Sequence, residues 1–256
     1  MLNAGDFYDQ ASGFYDAMTR FKKRQQREKD WIKQWRNVYQ FNSALDAGCG
    51  TGSTALALAQ EGIRTTGIDI SDNMIKKAGE NAPRRGISNI EFIASSFEDA
   101  GRQINRMFDA IFCLGNSLVH IQPGKTLDKS IQSFAKLLNP GGVLIIQLLN
   151  YDKIMKNRDR IIDIYREESN EFIRFYDFGE NILNFNILRI DWSREPVQHQ
   201  LQTTRHYPYR EYEIRKQLLK YGISIENIYG NIKMEDYHPE TSPNLVIAAR
   251  KKQDSL

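Results

Sequence analysis

The chain has 256 residues, 41% of them hydrophobic and 26% charged, with 17 glycines, 7 prolines and 2 cysteines, which is ample for a globular protein with a buried core. This excludes collagen-like, disordered and disulfide-stapled classes, and a net charge of +3 from 35 basic and 32 acidic residues is too balanced to point to nucleic acid. No apolar run nears the roughly 20 residues of a membrane span and no basic segment followed by an apolar stretch opens the chain, so the expected location is the cytoplasm, with Cys49 and Cys113 reduced.

Along residues 1–40, Tyr15, Met18, Phe21, Trp31, Ile32 and Trp35 fall at spacings that predict amphipathic helices. From Ser43 the pattern changes to short apolar runs ending in Gly or Asp: 44–46, 65–69, 90–94, 108–114 and 143–149. Helical periodicity lies between them at 53–61, 72–81 and 127–138. Alternation of this kind implies right-handed crossovers and a parallel sheet covered on both faces, a doubly wound α/β fold. After Asn150 the segments 171–178, 182–192 and 199–207 are rich in aromatic and β-branched residues and read as an antiparallel meander. A helix over 209–221 and strands over 224–229 and 244–249 complete a mostly parallel seven-stranded sheet, and Lys251-Lys252-Gln253 reads as a frayed tail.

The most informative stretch is Asp46-Ala47-Gly48-Cys49-Gly50-Thr51-Gly52, between the first predicted strand and the helix beginning near Ser53. Its glycines let the backbone turn tightly and approach a ligand, and the helix behind it offers free N–H groups. A dinucleotide fingerprint, G-x-G-x-x-G, would need glycine at Ser53. A second acid, Asp69, ends the next strand about 20 residues on, where a carboxylate accepts hydrogen bonds from ribose hydroxyls.

This combination resembles the class I S-adenosylmethionine-dependent methyltransferases, and Asn139-Pro140-Gly141-Gly142, Ala94-Ser95-Ser96-Phe97 and Phe108–Cys113 resemble further segments of that family. The segment Cys113-Leu114-Gly115-Asn116-Ser117-Leu118-Val119-His120, with Asn150-Tyr151-Asp152, is similar to the glycine and glycine/sarcosine N-methyltransferases. The resemblance implies that S-adenosylmethionine is held by Asp46, Ala47, Gly48, Cys49, Gly50, Gly52, Asp69, Ile70, Met74, Ser95, Ser96, Phe97 and Leu114, with Tyr15 and Arg24 from the N-terminal segment. It implies Asn116 and His120 as catalytic candidates, and Asn116, Tyr151, Arg174, His206 and Tyr207 as candidates for the acceptor. Glycine N-methyltransferase carries an arginine before its Asn-Tyr-Asp run that clamps the glycine carboxylate; here that position is Leu149, and Arg174 or Arg205 are the candidates to replace it.

The expected organisation is a helical lid over 1–40, a cofactor-binding core over 41–150 and 208–250, and an inserted substrate or interface segment over 151–207. The expected reaction is methyl transfer to a small molecule, foremost an amine nitrogen, with no metal, nucleic acid or membrane, and with a homo-oligomer open. A small-molecule hydroxyl, RNA or protein as acceptor, an NAD(P)-dependent oxidoreductase and a non-catalytic cofactor-binding module are the alternatives. Cys49, Trp31 and Trp35 read as core residues rather than a nucleophile or a cage.

Overall fold

A computed structural model describes residues 1–253. Three helices open the chain: α1 (Ala4–Ala11), α2 (Tyr15–Met18) and α3 (Phe21–Tyr39). There follow β1 (Ser43–Ala47), α4 (Ser53–Gln60), β2 (Arg64–Asp69), α5 (Asp72–Asn81), β3 (Glu91–Ala94), α6 (Phe97–Gln103), β4 (Phe108–Cys113), α7 (Lys125–Leu137) and β5 (Leu138–Leu149). Next come α8 (Tyr151–Asn157), four strands β6 (Ile161–Glu167), β7 (Asn170–Phe178), β8 (Leu183–Asp191) and β9 (Gln198–His206), then α9 (Glu211–Lys220), β10 (Ile223–Tyr229) and β11 (Asn244–Lys251).

Seven strands form one sheet in the order β10-β11-β5-β4-β1-β2-β3. Only β11 runs against its neighbours, pairing antiparallel with both β5 and β10. Central strands buried on both faces need apolar side chains at every position. Accordingly Leu45, Ile68, Ile111, Leu144 and Ile146 face one core, while Ala44, Phe112, Ile145, Val246 and Ala248 face another that contains Trp31 and Trp35 of α3. Both tryptophans are core residues, and Cys49 and Cys113 are buried thiols.

Residues 161–206 form a separate antiparallel sheet, β6-β7-β8-β9. Its inner face packs on α1 and the segment after it, with Phe185 against Phe7 and Phe172 against Phe14. The sequence predicts three of its strands and misses β6, whose apolar residues are split by Asp163 and Arg166. Helices α6 and α8 are also unread, being only seven residues each; Ser96 and Asn150 cap them by accepting from the N–H groups of Asp99 and Lys153. Two further expectations are corrected. The strand expected at 143–149 begins at Leu138 and takes in Asn139-Pro140-Gly141-Gly142, and Lys251 is not frayed: it pairs with Ile223, and its Nζ donates to the carbonyls of Ala135 and Leu138.

Candidate active site

The loop Asp46–Gly52 leaves β1 at the carboxyl end of the sheet, between β1 and the β2–α5 turn, where open α/β sheets place their ligands. Gly48, Gly50 and Gly52 all have positive φ, at 80°, 54° and 88°. All three are also crowded: a Cβ on Gly48 would meet Ser117 Oγ at 2.7 Å, one on Gly50 the Tyr15 ring at 3.3 Å, and one on Gly52 the Ala78 Cβ at 3.2 Å. The Gly50 N–H donates to Asp69 Oδ2 (2.9 Å) and the Ser71 N–H to Asp69 Oδ1 (3.0 Å), so the two strand ends are tied through one carboxylate.

Around this loop lies a cavity walled by both polar and apolar residues. Of the residues expected to hold the cofactor, Tyr15, Arg24, Asp46, Gly48, Cys49, Gly50, Asp69, Ile70, Ser96, Phe97 and Leu114 line it, together with His120. Ala47, Gly52, Met74 and Ser95 do not: Met74 is fully buried inside α5, and Ser95 Oγ donates to the carbonyl of Ser96. Burial pushes Asp46 up to about 7, against the pull of Arg24, and its Oδ2 is buried with no hydrogen-bond partner. Burial also raises Asp69, against the pull of the backbone N–H groups bonded to it, and holds the Cys49 thiol well up, which makes that cysteine a poor nucleophile.

These features fit S-adenosylmethionine. An unpartnered buried carboxylate oxygen at Asp46 and a guanidinium at Arg24 suit a zwitterionic amino-acid end, and Asp69 retains lone pairs for ribose hydroxyls. Arg24 is itself held: its Nε donates to Glu28 Oε1 (2.9 Å), while Glu28 accepts from Ser53 Oγ (2.7 Å) and Thr54 Oγ1 (3.0 Å) at the start of α4. Burial draws the Arg24 pKa down, and Glu28 beside it more than reverses this.

Two more carboxylates fasten the N-terminal helices to the same loops. Asp9 accepts from Ser71 Oγ and the Asn73 N–H, and Asp16 accepts from Thr51 Oγ1. The sequence reading missed Glu28, Asp9 and Asp16 because their hydroxyl partners lie 25 to 62 positions away.

A second cavity opens between α2–α3 and the inner face of the four-stranded sheet. It shares Tyr8, Tyr15, Arg24 and Gly115 with the first, and is walled by Tyr165, Tyr176, Phe185 and His206. Tyr8, also missed, sits seven residues before Tyr15 on the same aromatic segment, and that spacing was the available signal. Its hydroxyl lies 2.9 Å from His120 Nε2. The rings of His120 and His206 meet edge to face at 4.5 Å, and His206 Nδ1 lies 3.4 Å from the hydroxyls of both Tyr151 and Tyr176. Burial pushes His120 down to about 4 and, with His120 beside it, pushes His206 well below its ordinary value. Both rings are therefore neutral near pH 7, and burial keeps the phenols of Tyr8, Tyr151 and Tyr176 protonated, Tyr176 at about 12.

Three acceptor candidates need correction. Asn116 lines this cavity, but its amide is committed: Oδ1 accepts from the Leu149 N–H (3.0 Å) and Nδ2 donates to Tyr151 Oη (2.7 Å). An N–H opposite Leu149 would leave no acceptor there, so the amide orientation is fixed, and Oδ1 is held by the backbone with one lone pair remaining. Tyr151 stands behind the wall and reaches it only through that hydroxyl, whereas Tyr207 lines neither cavity and gives its backbone N–H to Val119. Arg174 does line the cavity, paired bidentately with Asp163 at 2.6 and 2.5 Å, while Arg205 is exposed on the opposite face of the sheet against Met1 Sδ. Among the described residues no group of three His, Cys, Asp or Glu is placed to hold a metal ion, and no helix is long and apolar enough to cross a membrane.

Comparison with known proteins follows the same lines. A family model described as a methyltransferase domain matches residues 42–212. The chain is 26% identical to the glycine/sarcosine N-methyltransferase of Aphanothece halophytica, over 93% of this chain and 86% of that one. It is 30% identical to the enzyme of the same description from Halorhodospira halochloris, over 70% and 72%. Among solved structures, an S-adenosylmethionine-dependent methyltransferase from Clostridium acetobutylicum superposes with a TM-score of 0.80 at 20% identity, covering 96% of this chain and 99% of that one.

Proposed function

Because the chain belongs to the methyltransferase-domain family and is an S-adenosylmethionine-dependent methyltransferase, we propose that its acceptor is the amine nitrogen of a small molecule held in the second cavity. The observation that carries this reading is the shared wall. Tyr8, Tyr15, Arg24 and Gly115 belong to both cavities, so an acceptor in one meets whatever the other presents there.

When bound, the cofactor supplies a methyl group already activated on a positively charged sulfur. The protein's task is then to align the acceptor and exclude water, with reacting atoms about 3–3.5 Å apart. An amine attacks through its lone pair after shedding its ammonium proton to water before capture, whereas a hydroxyl must lose its proton to a base as it attacks. The second cavity is poor in bases for that purpose. The two histidines are neutral with depressed pKa values, the phenols stay protonated, and the Asp163 carboxylate is tied to Arg174. We therefore assign His120 the positioning of the Tyr8 hydroxyl rather than proton abstraction. Asn116 positions Tyr151 and the end of β5, and Tyr8, Tyr15 and Tyr176 orient the nitrogen and face its developing positive charge.

The relatives named for glycine and sarcosine support an amine, but Leu149 lines the cavity where the resemblance expects the carboxylate-clamping arginine. We infer an acceptor amine other than glycine. A panel of small amines, amino acids and hydroxylated metabolites, assayed for S-adenosylhomocysteine release with Asp69→Ala as the inactive control, tests both statements. Turnover with one or more amines, and at least about 100-fold less with glycine, is the expected result. Turnover confined to hydroxylated compounds would overturn the amine assignment, and glycine as the best acceptor would overturn the inference from Leu149.

A further inference from the structure

Side chains alternate across a strand, so the face of the four-stranded sheet that does not line the acceptor cavity can be read from its register. Phe172, Arg174 and Tyr176 point inward, which leaves the odd positions of β7 outward. On that outer face Ile164 stands opposite Ile173, Ile173 opposite Leu188, and Leu188 opposite Leu201. An unbroken apolar row thus crosses all four strands from one edge to the other. Phe175, Ile161 and Ile190 extend it on neighbouring rungs. None of these seven side chains belongs to any of the three apolar cores, and at the two edges Ile164 and Leu201 are each 56% exposed. Isolated exposed leucines are ordinary, but a contiguous row of this kind marks a surface that is covered.

We propose that this face is the interface between two copies of the chain, packed sheet on sheet about a two-fold axis. Three features favour a second copy over a different partner. The row reaches both edges of the sheet, so a two-fold rotation lays it on its own image, which an isologous contact requires. The charges flanking it are mostly partnered within the chain: Arg160 pairs with Asp177, Arg166 lies over the Trp192 ring whose Nε1 donates to Glu171, and Arg205 rests against Met1 Sδ. The face therefore offers no cluster of one sign for an oppositely charged partner to read. Its size is also adequate. Three strands of nine residues and one of seven, at about 4.8 Å spacing and about 3.3 Å per residue, give a flat footprint near 540 Å², and the accessible area of a corrugated face exceeds its footprint, toward the ~800 Å² per partner of stable interfaces.

The test is the mass in solution of the full chain by sedimentation equilibrium, for the native sequence and for Ile164→Lys, Leu201→Lys and Leu219→Lys. Leu219, on α9, is 55% exposed and lies off this sheet, so it serves as the matched control. The native chain and Leu219→Lys should sediment at twice 29.7 kDa, and Ile164→Lys and Leu201→Lys at 29.7 kDa with unchanged far-ultraviolet circular dichroism and S-adenosylmethionine affinity. Both positions are largely exposed in the single chain, so lysine there does not disturb its core. A native monomer, a dimer that survives both sheet substitutions, or a dimer broken by Leu219→Lys instead would each overturn the proposal.

Discussion

The two cavities are built by different means. The cofactor cavity is founded on one stretch of backbone: Gly48 and Gly50 with positive φ and two strand-end carboxylates, Asp46 and Asp69, lie within 24 residues of chain, and side chains such as Tyr15, Arg24 and Phe97 close it from elsewhere. The acceptor cavity is made of side chains gathered from α1 to α3, the end of β5 and the four-stranded sheet, and several of its polar atoms are bonded to one another while His206 Nε2 has no partner. A site made of backbone tolerates little change of residue and leaves its mark in the sequence. One made of networked side chains can change its ligand while the fold stays as it is.

Substitutions that separate the two halves test this contrast. The largest effect is expected at Asp69→Ala, which removes the carboxylate proposed to hold the ribose and also releases the N–H groups of Gly50 and Ser71. Calorimetric affinity for S-adenosylmethionine should fall about 100-fold, or ~2.7 kcal/mol. Asn116→Ala should act on the other half, lowering kcat about 30-fold with cofactor affinity changed less than about twofold, because it frees the Leu149 N–H and the Tyr151 hydroxyl. Comparable losses in both quantities would refute that division. Glu28→Gln keeps the shape of the side chain but weakens the hold on Arg24, and should raise the KM for the cofactor about tenfold at nearly constant kcat.

The smallest effect is one of pH. Asp46 has a pKa of about 7 in the free protein, so its carboxylate is about 90% ionised at pH 8 and about 10% at pH 6. If that carboxylate meets the cofactor's ammonium, affinity should drop about tenfold between those pH values and stay flat in Asp46→Asn. A pH-independent affinity in the native chain would remove Asp46 from that role.

The same contrast explains what the sequence disclosed. The alternation of apolar runs and helical stretches placed five parallel strands, and the spacing from Asp46 through Gly52 to Asp69 placed the cofactor loop, since both rest on local backbone requirements. The sequence missed β6, whose alternation is interrupted by Asp163, a residue that faces Arg174 across the strand pair. The commitment of the Asn116 carbonyl to a backbone N–H 33 residues on was equally hidden, because spacing does not reveal which hydrogen bonds a side chain has already made. Tyr207 looked like Tyr176 in composition and differs only in where the end of β9 carries it.

Asp9, Asp16 and Glu28 fasten the first three helices to the cofactor loops through neutral hydroxyls rather than cationic side chains alone. Such fastenings are little weakened by salt, and they hold Tyr8, Tyr15 and Arg24 over the cavity. If a nucleoside passes beneath this segment only when it detaches, capture is limited by that release. In a stopped-flow experiment the observed rate of S-adenosylmethionine uptake should level off at high ligand and reach a higher ceiling in Asp16→Asn, while ionic strength leaves the plateau where it was.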